Sequence, residues 1–155
     1  ASRAFNLAAL KAALIMAGPE AGDDVASMRG ESAENTSHFG VIAHVAAMRE
    51  GDAWLASTLT ALTDNRALLQ NLLAEHLPGA ELIVPEATYL AWVDASALEL
   101  TPSPAAFFRD KAGVAFSDSD FFVADYAGHF RVNFATSAAI LTEAFERAGQ
   151  AFRQR

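Results

Sequence analysis

The chain has 155 residues, 52% of them hydrophobic and 19% charged, the balance of a globular chain long enough to bury one full core. Nineteen acidic against eleven Lys and Arg residues give a net charge of −8, and with no basic cluster longer than a pair the electrostatic footprint of a nucleic-acid binder is missing. The absence of cysteine removes disulfides, zinc thiolates and thiol nucleophiles together, and fits a cytoplasmic protein.

Arg3 precedes an apolar stretch from Leu7 to Ala17 that superficially looks like a secretory signal, but Lys11 interrupts it. No later run approaches the roughly 18 apolar residues a membrane span needs. The sequence starts without Met and enters a motif-like stretch, ASRAFNLAALK, at once, which reads as a piece of something larger. Within 7–17, a short turn is expected to lead into an apolar strand around Ala13 to Ala17, the pattern of a strand buried on both faces of a parallel sheet. Gly18-Pro19 then breaks the element. Residues 18–37 are polar and Gly-containing, hence a loop with at most one helical turn.

Thr36 or Ser37 can cap the next helix, HFGVIAHVAAMREG, which Gly51 closes. His38 and His44 in it read as capping or interface histidines, because no second metal-ligand type stands at coordinating spacing. From Asp52 to Leu77, Leu55, Leu59, Leu62, Leu69, Leu72, Leu73 and Leu77 recur at helical spacing, giving an amphipathic helix of about seven turns that ends at Pro78-Gly79. A helix this long in a small protein bridges two bodies or pairs as a coiled coil.

Beyond Pro78 the composition becomes strand-like, with AELIV and TYLAWVD separated by Pro85-Glu86-Ala87. Ser103 before Pro104 signals a short helix with Phe107 and Phe108 as packing residues. A short strand VAF, the SDSD loop and the strand FRVNF follow. Ser137 can then cap a final helix with Ile140, Leu141, Ala144, Phe145, Ala148 and Phe152 on one face. The expected architecture is α+β: residues 1–51, then a bridging helix over 52–77, then a small domain over 78–155 with an antiparallel or mixed sheet and two helices on one side.

No phosphate loop, zinc-protease or nucleophile-elbow motif is present, no metal site is expected, and the carboxylates of the SDSD loop read as solvated surface. The sharpest candidate is Arg131. In FRVNF, Phe130, Val132 and Phe134 face one side while Arg131 and Asn133 face the other. A strand arginine is either solvated at an edge or holding an anion, and the pattern leaves both open. If it holds one, its planar fork suits a carboxylate.

ASRAFNLAALK resembles the segment around the cofactor lysine in fold type I pyridoxal-phosphate enzymes, in the class I and II aminotransferase branch that includes cystathionine β-lyases of the MalY/PatB kind. Ser2, Ala4, Phe5, Asn6 and Leu7 carry the match, and it continues through HFGVIAHVAAMREG, ATYLAWVD and FRVNFATS in the family's order. The resemblance implies the C-terminal portion of such an enzyme: a small α+β domain, a bridging helix and a remnant of the large cofactor-binding domain. It implies pyridoxal 5'-phosphate as cofactor, an amino-acid substrate and a homodimer or larger homo-oligomer, with neither nucleic acid nor membrane as partner. Arg131 would hold the substrate's α-carboxylate, Lys11 would stand near the cofactor phosphate, and Ser2 and Asn6 would border the cofactor, while Tyr89 and Trp92 read as packing residues.

Two departures matter. Arg3 occupies the position of the Schiff-base lysine, and a guanidinium with a pKa above about 12 and a delocalised nitrogen cannot form the imine. The serine three residues earlier would precede Ala1, as would the acidic partner of the pyridine nitrogen and most phosphate contacts. A smaller mismatch is Phe122-Val123 where relatives have Phe-Gly. The expected parent is a carbon-sulfur lyase or aminotransferase, with this chain alone inactive. A non-catalytic association module and an independent carboxylate-binding domain are the rival readings.

Overall fold

The computed structural model describes residues 2–28, 30, 35–122 and 126–155; Ala1 and Val123 lie outside them. It divides into two compact units, Ala1–Leu59 and Thr60–Arg155, and the longest helix runs through the boundary.

The first unit begins with a turn in which Leu7 N–H donates to the Ser2 carbonyl at 3.0 Å. A single 3-10 turn follows over Ala8–Leu10. Helix α1 spans Gly22–Ala26, and α2 spans His38–Glu50. Ser37 caps α2, its hydroxyl accepting from Gly40 N–H at 3.1 Å, as the Ser/Thr signal predicted. Gly40 is needed for space, since a Cβ there would overlap the Leu10 carbonyl oxygen. Similarly, a Cβ at Gly51 would overlap Phe5, whose ring stacks on Trp54 at 5.8 Å.

The expected strand at Ala13 to Ala17 does not form. The segment has no regular structure, and Leu14, Ile15 and Met16 are exposed. An extended apolar run becomes a strand only where a neighbour takes its backbone groups, and no such neighbour stands among the described residues.

Helix α3 covers Asp52–His76. In the second unit its leucine stripe enters the core through Leu69, Leu72, Leu73 and, just past the helix, Leu77. Leu59 remains exposed, so only the C-terminal part of the stripe is core. Strands β1 (Glu81–Ile83), β2 (Leu90–Asp94), β3 (Ser117–Asp118) and β4 (His129–Asn133) form one sheet in the order β1-β2-β4-β3. Every pairing is antiparallel, which resolves the mixed alternative. The VAF strand appears one step later in the chain, at Ser117–Asp118. Val114 and Phe116 are instead buried in the core, and the ladder to β4 begins only at Ser117, opposite Arg131.

Helix α4 (Pro104–Ala112) is capped by Ser103 and closed by Gly113 at φ +64°, a left-handed turn that favours glycine. Helix α5 (Ala138–Arg153) is capped by Ser137. Its buried stripe is Leu141, Phe145, Ala148 and Ala151, while Ile140 is exposed, so the apolar face is narrower than its sequence suggested. The core is aromatic: Phe116 packs against Phe130 at 4.7 Å, Phe108 at 5.6 Å and Phe145 at 5.5 Å between ring centres. Ala91 and Val93 of β2 and Phe130 and Val132 of β4 line the same core, each large side chain there contributing about 1.5 to 3 kcal/mol by burial.

One buried amide ties α3 to the sheet's exit. Asn65 Nδ2 donates to the carbonyls of Phe134 at 2.9 Å and Thr136 at 2.7 Å, where the chain leaves β4 for α5. Asn65→Ala strands both carbonyls and should destabilise the second unit by about 2 kcal/mol; urea unfolding followed by far-UV circular dichroism measures it, and an unchanged midpoint would refute the tie.

Candidate functional site

Burial of Phe130 and Val132 forces Arg131 to the opposite face of β4. Because β4 lies between β2 and β3, Arg131 is on an interior strand, directly across from Trp92 on one side and Ser117 on the other. The solvated-edge reading therefore does not describe its position. The side chain is half-buried. One guanidinium nitrogen, Nη2, donates to Ser117 Oγ at 3.2 Å, and the Phe122 ring lies 4.3 Å from Cζ, in the range of a cation–π contact. Nε is enclosed without an acceptor, and among the described residues no carboxylate pairs with this cation. Enclosing a charge is costly unless it is neutralised, so the arrangement favours an incoming anion.

Around it the same face is aromatic. Trp92 meets Phe122 and Tyr126 edge-on at 6.0 and 6.1 Å and stacks on His129 at 5.9 Å. Trp92 thus packs against aromatic neighbours, as its reading as a packing residue expected, but on the outer face opposite Arg131 and not in the core. Tyr89, by contrast, is partly buried against the core.

The face also carries one structured carboxylate. Asp94 Oδ1 accepts from Ser96 N–H at 2.9 Å and Ser96 Oγ–H at 2.5 Å, and Oδ2 lies 3.6 Å from His129 Nε2. The Ser96 hydroxyl and then its backbone N–H hold the Asp94 carboxyl below its ordinary value; burial opposes them and His129 adds to them. Asp118 is also structural: it accepts from Ser103 Oγ at 2.5 Å and Asp120 N–H at 3.4 Å. Among the described residues no three His, Asp or Glu side chains converge on a metal position.

In the first unit, Ser2 and Lys11 share the wall of a hollow of about 590 Å³ with Asn35 and Thr36. Lys11 holds the segment in place through its backbone: it sits at φ +54°, its N–H returns to Ala8 O at 3.3 Å, and its carbonyl accepts from Ser37 N–H at 3.4 Å. The rest of the wall is largely apolar, with Ala8, Ala12, Ala13, Ile15, Val25 and Met28, so Ser2, Lys11, Asn35 and Thr36 supply its polar groups. Asn6, also at φ +54°, and Arg3 are exposed and do not line the hollow. The structure thus groups Ser2 with Lys11 and surrounds Arg131 with Ser117, Phe122 and Trp92. The sequence reading had not singled out Ser117 or His129 as site neighbours; cross-strand register, which brings them there, leaves no local signal.

No family model matches the chain. A protein of Mycobacterium tuberculosis that bears the provisional name cystathionine β-lyase is 45% identical over 172 residues, an alignment covering 100% of this chain and 42% of the relative. The chain is a homologue of the cystathionine β-lyases. Among solved structures, one provisionally described as a pyridoxal-phosphate-dependent β-cystathionase, from Corynebacterium diphtheriae, is 35% identical with a TM-score of 0.90, over 98% of this chain and 41% of that one. The pyridoxal-phosphate-bound C-S lyase of Staphylococcus hominis is 31% identical with a TM-score of 0.85, over 99% and 40%. The fold is therefore that of the pyridoxal-phosphate-dependent transferases, as the resemblance implied, and the chain spans about two fifths of the length of these relatives.

The Asp94 cluster makes a pH prediction. A carboxyl held below its ordinary value stabilises the fold fully above the unfolded value, near pH 4, and that contribution is lost as pH falls through the lower folded value. In Ser96→Ala the Asp94 carboxyl should titrate closer to its ordinary value, so acid stability should be lost at higher pH. Carbon-detected NMR of the Asp94 carboxyl reads this directly, and an unmoved midpoint would count against Ser96 as the cause.

Proposed function

We propose that the chain is the C-terminal part of a pyridoxal-phosphate-dependent carbon-sulfur lyase of the cystathionine β-lyase type, or of an aminotransferase on the same plan, and that Arg131 holds the amino-acid substrate by its α-carboxylate. The observation that carries this reading is the half-buried guanidinium of Arg131, with an enclosed Nε and no carboxylate among the described residues, in a homologue of enzymes that act on amino acids. A bidentate grip by a planar fork fixes the orientation of the acid as well as its affinity, so the bond to be broken is presented in one direction.

Ser2 and Lys11, and Asn6 outside the hollow that those two line, are the residues proposed to border the cofactor, the lysine supplying charge toward its phosphate. Pyridoxal phosphate, when bound, supplies an electron sink for the bond broken next to the amino-acid nitrogen. Arg3, at the position proposed for the Schiff-base lysine, carries charge but no nucleophilic amine. The whole protein is proposed to work in the cytoplasm as a homodimer or larger homo-oligomer.

A second reading is favoured by one feature of the first unit. Helix α2 exposes Phe39, Ile42 and Met48, more apolar surface than a solvated helix carries. That surface suits an association module without catalysis, and a clean monomer by light scattering would count against it.

Two outcomes test the main reading. With pyridoxal phosphate added, the chain should release no pyruvate from L-cystathionine above a buffer blank, and any clear release would refute the inactivity assigned to Arg3. L-Methionine, used as a carboxylate probe, should bind the chain and lose at least about tenfold in affinity in Arg131→Met, the cost of removing one partner of a charge pair. Equal binding by the variant, measured by NMR titration, would remove Arg131 from the role.

A further inference from the structure

We propose that Phe122 is a positioning residue for Arg131, setting the plane of the guanidinium before a carboxylate arrives. This rests on the carboxylate reading of Arg131 and goes beyond it by naming what holds the fork. The Arg131 Cζ lies over the Phe122 ring, 4.3 Å from its centre, a contact that opposes movement of the cation away from the ring. Ser117 Oγ, at 3.2 Å from Nη2, opposes rotation within the plane. Trp92, edge-on to Phe122 at 6.0 Å, backs the ring in turn.

Two separate contacts, a ring and a hydrogen bond, restrict a long, flexible cation, and freedom removed in advance is not lost again on binding. Among the described residues, Phe122 makes its other ring contacts with Trp92 and Phe121. It is 40% exposed and stands outside the core cluster, so its burial adds little to stability, and its neighbour Phe121 is more exposed still. Ser117 takes one N–H of the fork and is neutral, so it holds the guanidinium without cancelling its charge. The aromatic face likewise attracts the cation while leaving its in-plane donors for an acid.

The test compares Phe122→Leu, Phe122→Tyr and Arg131→Met in the 155-residue chain, with two readouts. Exchange of the Arg131 Nε–H proton with water, followed by ¹⁵N NMR, needs no ligand; titration with sodium acetate and L-methionine adds the binding step. Phe122→Leu should speed the exchange and weaken both carboxylates by about three- to thirtyfold, the span of cation–π contacts from exposed to desolvated. Phe122→Tyr keeps the ring and should restore both to within about twofold, while thermal unfolding stays unchanged in either variant. Unchanged exchange and binding in Phe122→Leu, or loss in Phe122→Tyr as large as in Phe122→Leu, would overturn the positioning role. If Arg131→Met binds as tightly as the natural chain, the carboxylate reading fails, and the exchange measurement still decides whether Phe122 orders the fork.

Discussion

The second unit depends on one alternation, that of β4. Phe130 and Val132 are essentially inaccessible to water, and their burial against Phe108, Phe116 and Phe145 fixes which face of the strand is inside. Because side chains alternate, the same burial fixes Arg131 on the other face, and a slip of one residue would bury the cation and expose two large apolar groups. Site and core are thus set by a single register. The pairs Ala91–Val132 and Val93–Phe130 on one face, and Trp92–Arg131 on the other, are consequences of it.

What the sequence made legible was local. Ser103 and Ser137 were read as helix caps, and Thr36 or Ser37 as a third, from their place before an apolar run; the hydroxyls of Ser37, Ser103 and Ser137 each accept from a first-turn N–H. Capping is a contact between residues three apart, so it is written within a few letters. The alternation of FRVNF likewise told the two faces of the strand apart. It could not tell whether that strand lay at an edge, because neighbours are chosen by residues far away in the chain. Strand order, and with it the enclosure of Arg131 between Trp92 and Ser117, had to come from the structure.

The same limit explains the expectation that failed. Residues 13–17 have the composition of a doubly buried strand, and composition reports only what a segment would do given partners. Without a paired neighbour among the described residues the run stays irregular and Met16 is largely exposed. The VAF segment erred in the other direction: Val114 and Phe116 are buried, but as core side chains just before the ladder starts. Hydropathy predicted burial correctly there and hydrogen bonding incorrectly, since these are separate physical demands.

The electrostatics of the outer face bear on why Asp94 does not pair with Arg131. Asp94 sits diagonally across from it in the ladder, a separation that long side chains can span. Yet Oδ1 of Asp94 already accepts twice from Ser96, and Oδ2 faces His129. The stacked Trp92 and His129 rings occupy the space on that side. The carboxylate is thus committed elsewhere, and its low affinity for protons reflects those partners more than any cation. Had Asp94 been free to reach Arg131, the fork would be neutralised within the fold and would have little affinity left for a ligand. Ser96 holds this acid in a turn of its own, and among the described residues no carboxylate pairs with the guanidinium.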